Sequence, residues 1–395
     1  MKDGWQTKKL GEICEIERGG SPRPIQKFIT TDPKGVNWIK IGDATASGKY
    51  IYKTEEKIKP DGVKRSRMVY EGDFILSNSM SFGRPYIMKT RGCIHDGWLV
   101  LHQPKVDPDY LYYVLSSDLV FSQFDRLAAG STVRNLNIGL AKSVEIPYPP
   151  LPEQKRIVGI LDEAFDGIAT AKANAEKNLH NARALFESHL ESVFSQREEG
   201  WVEKRLSEVS KDFGRGKSKH RPRNDPKLYD GEYPFIQTGD IRNSVHIIDS
   251  YSQTYNEAGL AQSKLWPAGT VCITIAANIA ETGILAFDAC FPDSVIGVVT
   301  DESIANNKFL EYQLQSLKAR LQAQGKGSAQ DNINMGTFEN QLFSFPSVKV
   351  QSKIVLTLDA LREETQRLES VYQQKLASLE ELKKSLLHEA LSGRL

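Results

Sequence analysis

Residues 146–162 read IPYPPLPEQKRIVGILD, and a related pattern returns at residues 343–359 as FSFPSVKVQSKIVLTLD. In both segments a Pro-containing stretch leads into apolar residues spaced three and four apart, which is the spacing of one face of a helix. The two segments lie 197 residues apart in a chain of 395 residues. The sequence therefore predicts two copies of one unit, each ending in a helix.

Further matches at the same offset run along the whole chain and keep their order, as an internal duplication requires. Near the start of each copy the offset is 196, where Trp5 matches Trp201. The other matched pairs are Gly42-Asp43 with Gly239-Asp240, Cys93 with Cys290, Asp96 with Asp293, Gly130-Ser131 with Gly327-Ser328, Asn137 with Asn334, and Gln154 with Gln351.

Each copy divides into a globular part and a long helix. In the globular part, short apolar runs such as residues 37–41 and 74–76 read as strands separated by Gly-Asp turns. Asp107 followed by Pro108 predicts the start of one shorter helix, whose counterpart begins near Asn307. The predicted fold is α+β with two duplicated mixed α/β domains. The predicted segments are globular domains 1–151 and 200–348 and long helices 152–199 and 349–395.

The long helices carry heptad-like apolar stripes that differ in bulk, and a thin stripe facing a bulky one fills space well. We therefore expect the two helices to pack as an antiparallel coiled coil about 65 Å long. The alternative is that each helix lies on its own globular domain. Under the first reading, the end of the second helix lies near Trp5 and the copies close into a ring-like, pseudo-twofold arrangement. The contact residues expected in the stripes are Leu161, Ala164, Ile168 and Leu179 in the first helix and Leu358, Leu361, Leu368, Tyr372 and Leu379 in the second.

Motifs for catalysis or metal binding are not found in the sequence. Residues 214–218 resemble the end of a phosphate-binding loop, but Lys211 stands where that motif needs glycine. His95 and His102 lack a further ligand at metal-binding spacing, and the four scattered cysteines read as reduced core thiols. We expect no catalytic residue and no metal site. The sequence has no apolar run of about 20 residues and no signal core, so we expect a cytoplasmic protein.

The formal net charge of the chain is only +1, so bulk charge does not indicate a nucleic-acid partner. Locally, however, residues 204–227 hold nine basic and three acidic side chains and are rich in Gly and Pro. Such a loop is suited to DNA phosphates and base edges; six phosphate contacts would give log K against log salt a slope of about −5. The alternative is a solvated basic loop without a ligand. The candidate residues are Arg215, Lys217, Lys219, Arg221 and Arg223, with Arg18, Ser21 and Arg23 in the matching loop of the first copy.

Two more pairs of loops carry hydrogen-bond donors. One pair follows a strand in each copy, and the other pair precedes each long helix. For every residue in them, a turn or packing role is the alternative to DNA contact. The candidates are Asn78, Ser79, Ser81 and Arg84 with counterpart Asn278, and Ser131 and Arg134 with counterparts Lys326 and Ser328.

Two globular halves, each followed by a long helix, resemble the specificity subunit of type I restriction-modification enzymes over the entire chain. The segments that carry the resemblance include PPLPEQKRIV at 149–158, YPFIQTGD at 233–240 and LSGRL at 391–395. The second copy departs from the pattern at its joint, where the Pro-rich stretch is weaker.

The resemblance implies that each globular half is a target recognition domain for double-stranded DNA and that the helices hold two methyltransferase subunits. The site read would be bipartite, and asymmetric because the loops of the two copies differ. The methyltransferases would bring S-adenosylmethionine and methylate adenine; two restriction subunits would bring ATP and Mg²⁺. Two rival functions remain, a coiled-coil adaptor without a DNA role and a standalone nuclease or ATPase, the latter disfavoured by the missing motifs.

Overall fold

The computed structural model describes residues 4–78, 83–128, 136–196, 199–276, 279–325 and 334–395. The chain forms two compact units, Met1–Glu176 together with Gln374–Leu395, and Lys177–Gln373. Each unit holds one globular domain, part of the first long helix and part of the second.

The first copy begins with a short strand and ends with a helix of 45 residues. Its strands are β1 (Gln6–Lys9), β2 (Glu15–Arg18), β3 (Ile29–Thr30), β4 (Val36–Ile39), β5 (Tyr50–Ile51), β6 (Glu56–Ile58), β7 (Arg67–Val69), β8 (Phe74–Ser77), β9 (Pro85–Met88), β10 (Gly92–Ile94), β11 (Trp98–His102) and β12 (Glu145–Tyr148). Its helices are α1 (Leu10–Ile13), α2 (Ile41–Ser47), α3 (Pro60–Val63), α4 (Pro108–Leu115), α5 (Asp118–Ala128), α6 (Ile138–Ser143) and α7 (Leu151–Ser195).

The second copy follows a similar order with fewer elements and ends with a helix of 44 residues. Its strands are β13 (Val202–Lys204), β14 (Ser210–Arg215), β15 (Tyr229–Phe235), β16 (Ile247–Ile248), β17 (Gln253–Tyr255), β18 (Leu265–Trp266), β19 (Val271–Thr274), β20 (Thr282–Leu285), β21 (Ala289–Cys290), β22 (Val295–Thr300) and β23 (Phe343–Phe345). Its helices are α8 (Thr238–Asn243), α9 (Glu257–Ala261), α10 (Asn307–Gly325), α11 (Met335–Glu339) and α12 (Val348–Leu391).

The sheets of the two copies correspond. The first copy has five-stranded sheets of order β2-β11-β8-β9-β5 and β3-β6-β4-β10-β7, and the second has β14-β22-β19-β20-β16 and the four-stranded β17-β15-β21-β18. In each copy two strand pairs are parallel, β4 with β10 and β5 with β9, then β15 with β21 and β16 with β20. A two-stranded sheet, β1-β12 or β13-β23, joins the first strand of each copy to the strand that precedes its long helix. The predicted fold class, two duplicated mixed α/β domains with long helices, is confirmed.

Several local predictions can be checked against the helix ends. Asp107 caps α4 by accepting from the backbone N–H groups of Asp109 and Tyr110, as expected. The matched residues Asn137 and Asn334 cap α6 and α11 in the same way, which accounts for their recurrence.

Two local expectations were wrong. Gly42-Asp43 and Gly239-Asp240 are not turns, because they lie inside α2 and α8. In each case the aspartate at the third helical position accepts a hydrogen bond from the backbone N–H just before the helix, at 2.8 Å, and so starts a helix instead. Gly214 also lies within a strand, since pairing with β22 extends β14 as far as Arg215.

The long helices pack against each other in opposite directions. In the first unit, Arg156 Nη2 donates to the Leu395 carbonyl at 2.7 Å, and Lys172 Nζ pairs with Glu380 at 2.6 Å. In the second unit, Arg183 Nε pairs with Glu369 at 2.8 Å. Within the first unit, residues later in α7 contact residues earlier in the second long helix and its end, so the helices are antiparallel there. The alternative, in which each helix contacts only its own domain, is wrong.

Burial follows the predicted stripes. Leu161, Ile168 and Leu358 are buried, and Ala164, Leu179, Leu361, Leu368, Tyr372 and Leu379 are half-buried. Trp5 packs against the cluster that contains Leu391, and Trp201 packs against the cluster that contains Leu190. The end of the second helix therefore lies beside the start of the first domain, as the sequence predicts. Among the described residues, none of the helices combines the length and the hydropathy needed to span a membrane.

Candidate nucleic-acid interface

The basic loop of the first copy leaves the sheet at Arg18, the last residue of β2, and its backbone lies against the turn between β10 and β11. Gly19 donates to the Trp98 carbonyl at 2.9 Å, and Gly20 donates to the Ile94 carbonyl at 3.1 Å. A Cβ added at Gly19 would stand 2.0 Å from the His95 carbonyl oxygen, so any side chain would force the two segments apart. Glycine is needed here for close approach of two backbones.

Asp96, at the tip of that turn, accepts hydrogen bonds from four residues predicted to contact DNA. The carboxylate of Asp96 accepts from Ser21 Oγ at 2.6 Å and from Arg23 Nη2 at 3.3 Å. Its backbone carbonyl accepts from Arg18 Nε at 3.0 Å and from Asn78 Nδ2 at 2.8 Å. The hydrogen bond from Ser21, with the charge of Arg23 nearby, holds the pKa of the Asp96 carboxyl below its usual value. Four candidates from two separate segments thus meet at one aspartate, two on its ionised side chain and two on its backbone carbonyl.

The second copy repeats the arrangement. Arg215, at the end of β14, donates from Nε to the carbonyl of Asp293 at 2.7 Å, and Arg223 Nη2 bonds the Asp293 carboxylate at 2.6 Å. Gly216 corresponds to Gly19, because an added Cβ would lie 2.2 Å from a carbonyl oxygen of the neighbouring turn. Each basic loop is therefore held by an aspartate at equivalent positions of the two copies.

The second loop carries additional cations. Arg221 donates to two backbone carbonyls of its own loop at 2.6 and 2.8 Å. The ion pairs of this loop within the described part of the chain involve His220, Arg223 and Lys227 and leave out Lys217 and Lys219. The side chains of Lys217 and Lys219 are exposed, so they are available for phosphates.

The remaining candidates are spread more widely. Arg84 is exposed, with its guanidinium carbon 5.4 Å from the centre of the Tyr86 ring. Asn78 is only 1% exposed, and its amide is used on the Asp96 carbonyl, so the side chain supports the turn. The candidates Ser79, Ser81, Ser131, Arg134, Asn278, Lys326 and Ser328 lie outside the described residues.

A cleft of about 690 Å³ borders the first basic loop. Its lining includes Ser21 and Arg23 of the loop together with Trp38, Lys40 and His95. Burial lowers the pKa of His95, so its ring is neutral at neutral pH. The cleft thus places an uncharged aromatic surface beside the cations of the loop.

The histidines and cysteines that the structure describes near this interface are engaged in other contacts or buried. His102 places Nδ1 at 2.9 Å from Asp73 and Nε2 at 3.2 Å from Glu17, so both ring nitrogens face carboxylates. Cys93 is fully buried. Within the described ranges, no group of three His, Cys, Asp or Glu side chains is placed to hold an ion.

Matched buried glutamines attach each globular domain to its long helix. Gln154, in the first turn of α7, accepts from the backbone N–H of Asp107 and donates to the Pro149 carbonyl, both at 2.8 Å. Gln351, in the first turn of α12, makes the same two bonds at 2.8 Å, with Asn306 and Pro346. In each copy, one glutamine side chain therefore hydrogen-bonds both the residue just before a helix of the globular domain and a proline of the segment that leads into the long helix.

A matched tyrosine and aspartate reinforce the attachment. Tyr113 donates to Asp162 in the first copy, and Tyr312 donates to Asp359 at 2.6 Å in the second. Burial, and then the hydrogen bond to the aspartate, raise the pKa of both phenols, so they stay protonated and keep donating. Each domain is therefore fixed to about the first three turns of its own helix.

Sequence reasoning missed the roles of Asp96 and Asp293. Both aspartates were visible as a matched pair in the duplication, but their arginine partners lie 70 or more residues away along the chain. Recurrence at a fixed offset was the signal that could have found them.

Comparisons with known proteins agree with this architecture. The type I restriction modification DNA specificity domain family matches the chain twice, over residues 2–179 and 198–380. The MjaIX specificity subunit of Methanocaldococcus jannaschii is 24% identical, with 88% of this chain and 84% of that protein covered. The EcoBI specificity subunit of Escherichia coli is 22% identical, with 100% and 87% covered.

Solved structures share the fold. A chain from a structure that addresses complex assembly and conformational transition of the type I restriction-modification system superposes with a TM-score of 0.83, at 20% identity, over 100% of this chain and 99% of that one. The HsdS subunit from Thermoanaerobacter tengcongensis gives 0.67 at 20% identity over 100% and 98%. Because the family match occurs twice and takes in most of the sequence, the chain belongs to the type I restriction modification DNA specificity family.

Proposed function

We propose that this chain is the DNA-reading subunit of a type I restriction-modification complex. It binds a bipartite, asymmetric DNA site and directs adenine methylation and restriction by partner subunits. The observation that carries this proposal is the duplicated loop: two basic loops of different sequence, each held by an equivalent aspartate in a matched domain.

The asymmetry of the site follows from the differences between the loops. In the second copy, the exposed Lys217 and Lys219 extend a basic loop that has no such pair in the first. Matched domains with different contact residues recognise different base sequences, whereas identical domains would read a symmetric site.

The reaction chemistry belongs to the partners. Two modification subunits supply S-adenosylmethionine and methylate one adenine in each block, and two restriction subunits supply ATP, Mg²⁺ and nuclease activity. The complex acts in the cytoplasm, where the host DNA is found. The relatives named as specificity subunits support this division of roles.

The test is a reconstitution with three samples: this chain alone, its methyltransferase subunits alone, and the complex. Each sample receives host DNA and radiolabelled S-adenosylmethionine. The proposal predicts label in DNA only with the complex. If the methyltransferase subunits labelled DNA equally well without this chain, a coiled-coil adaptor would explain the chain better.

A further inference from the structure

The ion pairs that the two aspartates make with arginines of the basic loops are too exposed to explain their recurrence through folding stability. The side chains of Arg23 and Asp96 are 81% and 46% exposed, and those of Arg223 and Asp293 are 49% and 37% exposed. Ion pairs this exposed contribute little to folding stability. A carboxylate at a DNA-facing surface also repels phosphates, so its presence in both loops opposes DNA binding unless it does something else.

The geometry shows what the carboxylate does for its arginine. Arg23 donates one Nη2–H to Asp96, and the other donors of its guanidinium stay available, since the pairing uses one edge only. Arg223 is held in the same way on Asp293, at 2.6 Å. A long side chain that is already fixed loses less rotamer entropy when it contacts DNA.

The backbone of the same aspartates orients a second arginine. Arg18 and Arg215 each donate from Nε to the aspartate carbonyl, at 3.0 and 2.7 Å. Donation from Nε leaves the two Nη groups to face outward as a pair, which is the fork that bonds guanine O6 and N7 or a phosphate. Each aspartate thus sets the direction of two guanidinium groups.

We propose that Asp96 and Asp293 are positioning residues for specificity, each pre-orienting the arginines of its own loop toward one block of the DNA site. This inference rests on the proposed function, because it assigns a role to residues of that DNA-reading site. For removal of the carboxylate, this inference and simple electrostatics predict opposite changes in the binding of the correct DNA sequence. Removal of a negative charge near DNA strengthens all binding, whereas loss of pre-orientation weakens binding to the correct sequence relative to other sequences.

The experiment uses the complex of this chain with its methyltransferase subunits and measures the ratio of affinities for the specific duplex and a scrambled duplex. For Asp96→Ala we expect that ratio to fall about three- to tenfold, the cost of ordering the long side chain of Arg23 on binding. The backbone carbonyl that holds Arg18 is still present in this variant. Ser21 and Arg23 donate to different oxygens of Asp96, and Asp96→Asn keeps only one of these acceptors. We therefore expect its ratio to lie between those of the wild type and Asp96→Ala.

The matched control is Glu55→Ala. Glu55 is an exposed carboxylate that lines the same cleft, and its side chain takes no part in the hydrogen bonds around Asp96. For this variant both affinities should rise together, with the ratio unchanged. If Asp96→Ala behaved like Glu55→Ala, the positioning role would be wrong.

Methylation in cells separates positioning from general loss of stability. Asp96→Ala should relax base preference in one block of the methylated motif, and Asp293→Ala should relax it in the other. A variant that merely destabilises the protein would lower methylation without changing either block, which would also overturn the inference. A wild-type complex that shows no preference for any sequence would refute the proposed function itself, so the two failures are distinguishable.

Discussion

The two free lysines of the second basic loop give the sharpest quantitative prediction. Lys217 and Lys219 are exposed, and the ion pairs of the described loop do not include them. Each is therefore expected to neutralise one phosphate. Each neutralised phosphate contributes about 0.9 to the slope of log K against log salt, so the variant Lys217→Ala/Lys219→Ala should reduce the slope by about 1.8.

The magnitude is large enough to measure directly. If the wild-type complex contacts about six phosphates, its slope is about −5, and a fourfold rise in salt from 50 to 200 mM weakens binding about 1000-fold. With a slope of about −3.2, the affinity of the variant for DNA falls only about 80-fold over the same range of salt. Fluorescence anisotropy with a labelled duplex at several KCl concentrations gives both slopes.

A matched control uses two exposed lysines outside the loop. Lys349→Ala/Lys353→Ala removes the same charge from the start of α12 in the same unit and should leave the slope unchanged. Equal slopes for wild type and the loop variant, or an equal reduction in the control, would refute the assignment of these lysines to phosphates.

The remaining predictions concern the helices and the core. Insertion of four residues after Glu176 lengthens α7 by about 6 Å and should lengthen the unread gap in the methylated motif while both blocks stay the same; altered blocks with the same gap would contradict the spacer role. Tyr312→Phe removes the hydrogen bond to Asp359 and should lower the free energy of unfolding in urea by about 1 kcal/mol, and an unchanged midpoint would argue against the attachment. Burial raises the pKa of Cys14 to about 12, so this thiol is protonated at pH 8 and should react with a thiol reagent only after unfolding; rapid reaction of the folded protein would contradict that.

The duplication made the architecture predictable from the sequence. Heptad spacing identified both long helices, and the difference in bulk between the stripes indicated that they face each other. The Asp107 cap was readable because its hydrogen-bond partners lie within three residues along the chain. These features depend on local patterns or on repetition, and both are visible in a single sequence.

What the sequence could not supply was geometry that depends on distant contacts. Gly42-Asp43 is an exception, because its helix start depends on a local hydrogen bond from the Lys40 N–H to Asp43, which the turn-like Gly-Asp pair concealed. Arg215 looked like a loop residue until pairing with β22 placed it in a strand. The link from Arg223 to Asp293 spans 70 residues, and no local pattern predicts it.

The most direct test of the account is the methylome of a host that expresses this chain with its methyltransferase subunits, read by single-molecule sequencing. The account predicts one new methylated-adenine motif, with two specific blocks of different sequence separated by an unread gap of fixed length. A continuous or palindromic motif, or no new motif despite an assembled complex, would contradict it.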